Sequence, residues 1–129
     1  MTISQASKKY DLSPDTLRYY ERVGMIPPVT RTGGGLRDYT ENDCRWVELA
    51  KCMRSAGLPV EAMIEYVRLT RQGDNTVEAR RDLLTEQLEV LEAQKAAVEE
   101  TIARLRHKVS VYDCALETGI LNWDEPEED

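Results

Sequence analysis

The sequence predicts a mainly α-helical protein, a winged helix-turn-helix head followed by one long coiled-coil helix. Three observations predict it. Two short amphipathic stretches meet at the tight turn Asp11-Leu12, and Ser13-Pro14 opens the second of them. A glycine triplet, Gly33–Gly35, follows in a segment flanked by β-prone residues. From Leu84 onward, apolar residues recur at gaps of four and three.

Ser4 to Tyr10 reads as the first helix, with Ser4 as its N-cap. Ser13 caps the second, whose first position is Pro14, where a missing N–H costs nothing. Leu17, Tyr20 and Val23 then share an inward face, which leaves Arg18 and Tyr19 toward solvent. Gly24 ends this helix and Pro27-Pro28 prevent its continuation. Two helices joined this tightly make a helix-turn-helix, whose second helix enters a major groove.

Val29 to Tyr39, with the glycines at its centre, reads as a β-hairpin wing carrying Arg31 and Arg37. Thr40 and Asp43 have the spacing of a capping box and open a third helix to about Ser55. Its buried stripe is Trp46, Val47, Leu49, Ala50 and Met53. Gly57 closes it, and Pro59 starts a fourth helix to about Gln72, with Met63, Ile64, Val67 and Tyr66 inward. Gly73-Asp74-Asn75 is a turn.

The periodicity then narrows. Leu84, Leu88, Leu91, Val98, Ile102, Leu105 and Val109 form a heptad seam, bounded by Val77 and Tyr112 and interrupted by Arg81 and Lys95. Such a helix runs roughly 50 Å. So small a domain cannot bury so long a stripe, and a homodimer is the expected solution. The resulting boundaries are a head over 1–72, a dimerisation helix over 76–113 and a tail over 114–129. Leu121 and Trp123 give the tail something to pack, whereas its acidic end, Asp124 to Asp129, is expected to be disordered.

Composition excludes several classes. No 18-residue apolar stretch and no apolar leader occur, so neither a membrane partner nor secretion is expected, and the chain is placed in the cytoplasm. Three scattered cysteines fit a reducing compartment. The net charge of −7 is unevenly spread: residues 1–37 carry a net +3 and residues 58–129 a net −9. The basic end is the one with the helix-turn-helix, and the local field governs phosphate binding. No nucleophile–base pair, carboxylate dyad or phosphate-cradling loop is present, so an enzyme is not expected and no cofactor is called for.

Thr2-Ile3, Leu12-Ser13, Thr16-Leu-Arg-Tyr-Tyr-Glu21, Gly24-Met-Ile-Pro-Pro28, Gly35-Leu-Arg-Asp-Tyr39 and Ala56-Gly-Leu58, taken in order, resemble the MerR family of transcription regulators. The resemblance covers the whole chain. It implies an antiparallel coiled-coil homodimer on double-stranded promoter DNA. Such a dimer bends and untwists an over-long spacer, so that RNA polymerase is reached through the DNA. By the matching positions, Thr16, Arg18 and Tyr19 would serve the recognition helix, with Tyr20 bracing it or touching phosphate. Arg37 would clamp the backbone from the wing, helped by Arg31 and Tyr39. Leu36 stands where the family often has an aromatic residue.

The run Val47-Glu-Leu-Ala-Lys-Cys52-Met-Arg-Ser-Ala-Gly-Leu58 is similar to the AdhR/NmlR-type branch, which answers aldehydes or related electrophiles through a single thiol. The resemblance implies Cys52 as sensor. Lys51 and Arg54 would favour its thiolate and Glu48 would oppose it. Cys44 lies eight residues away, about 12 Å along the axis. That is beyond the reach of a disulfide, so Cys44 is read as structural. The alternative is a metal-responsive regulator using Cys114, which sits where metal-sensing members carry a loop thiol. No second Cys or His follows it, and His107 reads as a surface residue.

Overall fold

A computed structural model describes residues 1–123; the acidic end expected to be disordered lies outside the described residues. The chain divides into two compact units, Met1–Gln87 and Leu88–Asp129. The described elements are five α-helices: α1 (Ile3–Tyr10), α2 (Pro14–Val23), α3 (Glu41–Ser55), α4 (Val60–Gln72) and α5 (Val77–Thr118). A short 3₁₀ turn, Asp74–Thr76, leads into α5.

Local chemistry sets the ends of these helices. The cap of α1 is Thr2 rather than Ser4: its hydroxyl accepts from the Gln5 N–H at 3.1 Å, and the Gln5 side chain accepts from the Thr2 N–H at 2.8 Å. The reciprocal box satisfies two free donors, which Ser4, already the second residue of the helix, cannot do. Ser13 caps α2 by accepting from the Thr16 N–H, and Gly24 ends it in the left-handed region at φ +86°. Thr40 and Asp43 form the reciprocal box at the start of α3.

In the first unit, α1 packs on α2 and α3, α2 on α3, and α3 on α4. Leu17, Met25, Ile26, Val47 and Met63 are fully buried at their meeting point. Trp46 and Leu49, expected inward, are only half-buried, while Leu69 joins the core from α4. The loop between α2 and α3 is not a regular hairpin. Among the described residues its pairing is one antiparallel bridge, Arg31 to Arg37, closed by Thr32 N–H to Leu36 O at 2.8 Å. A second bond, Asp38 N–H to Thr30 O at 2.7 Å, flanks the bridge on its other side, and the Gly35 N–H closes the tip onto the Thr32 carbonyl at 2.9 Å, with Gly35 in the left-handed region at φ +82°.

The second unit is built on α5. This helix has 42 residues, about 63 Å, and runs five residues beyond the expected end. Leu84 of the seam lies before the division of the units, and Leu88, Val98, Ile102, Leu105 and Val109 after it; all are exposed, whereas Leu91 is half-buried. Val111 is the one described residue of α5 that is buried. Near it the chain turns at Gly119, and the Trp123 ring stands edge-on to Tyr112 at 5.3 Å with the Lys108 ammonium 4.9 Å from its centre.

Candidate nucleic-acid interface

Helix α2 presents Arg18, Tyr19 and Arg22 outward. Arg18 is paired at 3.0 Å with Asp15, one turn earlier, and both side chains are well exposed. The Arg22 guanidinium lies 5.5 Å from the Tyr19 ring centre, a cation–π arrangement that orients the phenol. Thr16 is half-buried, with its hydroxyl 2.8 Å from that of Ser13. Tyr20 and Tyr39 are buried, and burial pushes both phenols above their ordinary pKa. The Tyr39 hydroxyl has no hydrogen-bond partner among the described residues.

The wing is fastened to α2 by Glu21. One carboxylate oxygen accepts from Arg37 Nε at 2.7 Å and lies 3.6 Å from Arg31 Nη2; the other accepts from the Val29 N–H at 2.8 Å. Arg31 also donates to the Gly35 carbonyl at 3.4 Å. Arg18, Arg31, Arg37 and Glu21 all lie close enough to act on the Tyr39 phenol. Glu21 thus brings together Arg31 and Arg37 and acts on the Tyr39 phenol, whereas Thr16, Arg18, Tyr19 and Tyr20 are placed by α2 itself. Sequence reasoning passed over Glu21 as a site residue, because its bonds to residues 29, 31 and 37 follow no helical spacing.

Of the three thiols, Cys44 is buried, and Cys52 and Cys114 are exposed. Burial, then a hydrogen bond with Cys44, pushes the Tyr10 phenol well above its ordinary pKa. Neither cation expected beside Cys52 is free: the Lys51 ammonium donates to the Tyr10 carbonyl at the end of α1, and Arg54 donates to the Leu58 carbonyl at 3.0 Å. Cys114 lines a small cavity of about 180 Å³ with Val111, Thr118, Ile120 and Asn122. Among the described residues no three His, Cys, Asp or Glu side chains come together as a metal site. Nor is any described helix long and apolar enough to cross a membrane.

Comparison with known proteins decides what carries this geometry. The profile of MerR HTH family regulatory proteins matches residues 1–70, and that of the MerR DNA-binding region matches residues 44–108. The chain belongs to the MerR family. It is 55% identical over 87 residues to the HTH-type transcriptional regulator AdhR of Bacillus subtilis, covering 67% of this chain. The match spans 62% of AdhR, less than two thirds of that relative's length.

A MerR family transcriptional regulator from Listeria monocytogenes has the same fold, at TM-score 0.88 and 41% identity, over 92% of this chain and 90% of that one. HiNmlR, a MerR family regulator lacking the sensor domain, was solved on promoter DNA. It matches at TM-score 0.82 and 29% identity, over 93% and 95% of the two chains. MerR-family members are transcription regulators rather than enzymes, and this chain is a MerR-type DNA-binding transcription regulator.

Proposed function

We propose that this MerR regulator is a homodimer that distorts promoter spacer DNA to control RNA polymerase and responds to aldehydes or related electrophiles through Cys52. Arg18 and Tyr19 read the groove from α2, with Thr16 at the helix start and Tyr20 bracing from the core. Arg37 and Arg31 hold phosphate from the wing, with Tyr39 as their packed support. The seam from Leu84 to Val109 pairs with a second copy, antiparallel, and the head over 1–72 is thereby presented twice.

The observation that carries the sensing assignment is the place of Cys52 on α3. Its thiol is exposed, while the residues on either side are anchored, Lys51 to the end of α1 and Met53 in the core. The chemistry is addition. The thiolate forms a C–S bond to the carbonyl carbon, the C=O π pair moves to oxygen, and water supplies the proton that completes the hemithioacetal. An adduct on so constrained a turn biases the orientation of α1 and α2 against α3. Likeness to AdhR supports this branch of the family.

The test is Cys52→Ala on the dimer, with the promoter fused to a reporter. Operator affinity should be unchanged and the response to formaldehyde lost, together with the adduct mass on the peptide containing residue 52. A fully inducible variant would remove Cys52 as sensor.

A further inference from the structure

Glu21 stands where an acid is least expected. It projects from α2 between two arginines of the wing, Arg31 and Arg37, and its side chain is only 12% exposed. An anion cannot hold a phosphate, so its presence in the grip needs another account. The bridge that closes the wing sets Arg31 directly opposite Arg37, two like charges facing each other across a single pair. Glu21 lies against both and relieves that repulsion, while its second oxygen fixes the Val29 N–H at the wing's entry.

The contact with Arg37 is made by Nε, the inner nitrogen of the guanidinium. The two terminal nitrogens are the pair that can fork onto a phosphate. A guanidinium held from behind through Nε presents that pair in one fixed direction and gives up less rotamer entropy on binding. We propose that Glu21 is the positioning residue of the wing, orienting Arg37 so that its terminal nitrogens meet the DNA backbone. This rests on the reading of Arg37 as a phosphate contact. Glu21 itself touches no DNA; it acts through Arg37.

The experiment measures the salt dependence of binding of the full chain to a labelled duplex selected from a random pool by the protein itself. Wild type, Glu21→Gln, Arg37→Ala and the double variant are compared at a temperature where circular dichroism shows equal helicity. Each phosphate contact contributes about 0.9 to the slope of log K against log salt. Arg37→Ala should lower the slope by about 0.9 per head, Glu21→Gln should lower it equally, and the double variant no further. Arg37→Lys keeps Glu21 and the charge but has no second edge to present, and should show the same loss.

A Glu21→Gln slope equal to wild type beside a reduced Arg37→Ala slope would overturn the positioning role and leave the phosphate contact standing. An unchanged Arg37→Ala slope would remove both. Tighter binding by Glu21→Gln would show the acid to be only a repulsive charge, which also overturns the proposal. Should Glu21→Gln fail to fold, Arg37→Lys decides alone: a wild-type slope there overturns it.

Discussion

Tyr19 and Tyr20 are adjacent in sequence, yet their rings, 6.4 Å apart, stand on opposite sides of the head's surface: Tyr19 is 37% exposed and Tyr20 is 5% exposed. One residue along a helix is little more than a quarter turn, enough here to divide a reader from a brace. Tyr20→Ala should therefore destabilise the protein by about 3–5 kcal/mol, as large core truncations do. Tyr19→Ala should stay within about 0.5 kcal/mol in the same urea titration and lower DNA affinity instead. Equal stability losses would show that the two rings are not divided in this way.

Arg18 has one partner, the exposed Asp15, and exposed pairs contribute little to stability. Its guanidinium is thus available at small cost. Arg18→Ala should leave the urea midpoint in place and weaken operator binding by about 1–3 kcal/mol, read by fluorescence anisotropy. Unchanged affinity would take Arg18 out of the recognition helix's contacts.

The three thiols differ in burial, and reagent kinetics should report it. Cys52 and Cys114 are exposed and should be titrated quickly by a thiol reagent under native conditions. Cys44 is buried against Tyr10 and should react only at the rate of local opening, rising when urea is added. Fast reaction of all three would mean that the junction of α1 and α3 opens readily.

What the sequence disclosed and what it hid follow one physical division. Ends of helices set by local chemistry were legible: Ser13, Pro14 and Gly24 around α2, and the Thr40–Asp43 box of α3. The Thr2–Gln5 box was equally local and was there to be found, since its spacing is that of a capping box. Periodic signals also served, because the long helix α5 and the inward Leu17 and Tyr20 follow from helical repeat alone. The fastening of the wing was not legible. It joins residues 21, 29, 31 and 37 through one carboxylate, a tertiary relation with no spacing rule. The anchoring of Lys51 on Tyr10, across 41 residues, was hidden for the same reason.

Asp43 makes the stability of the head depend on acid. Its burial raises the carboxyl's pKa, but hydrogen bonds from Thr40 and Thr30 more than offset this and hold it below the usual carboxylate value. A depressed folded pKa means stability that is fully present above the unfolded value of about 3.9 and is lost as pH falls through the folded one. Urea unfolding at pH 7 and at about pH 3 should therefore show a larger loss for wild type than for Asp43→Asn, whose amide does not titrate. Equal losses would remove Asp43 from the acid response.

The exposed row on α5 yields the last expectation. Leu88, Val98, Leu105 and Val109 are each more than half exposed in the single chain, and a leucine leaving water contributes about 1.5–3 kcal/mol. Repeated along a helix of 42 residues, that gain is large enough to drive association. Leu88→Asp or Leu105→Asp would set a carboxylate in the seam, where burial without a partner is costly. Sedimentation equilibrium should then give a dimer for wild type and for Glu89→Ala, a change beside the seam, but a monomer for either aspartate variant. A dimer that persists in both aspartate variants would place the interface on another surface, and the paired heads would need another means of being held together.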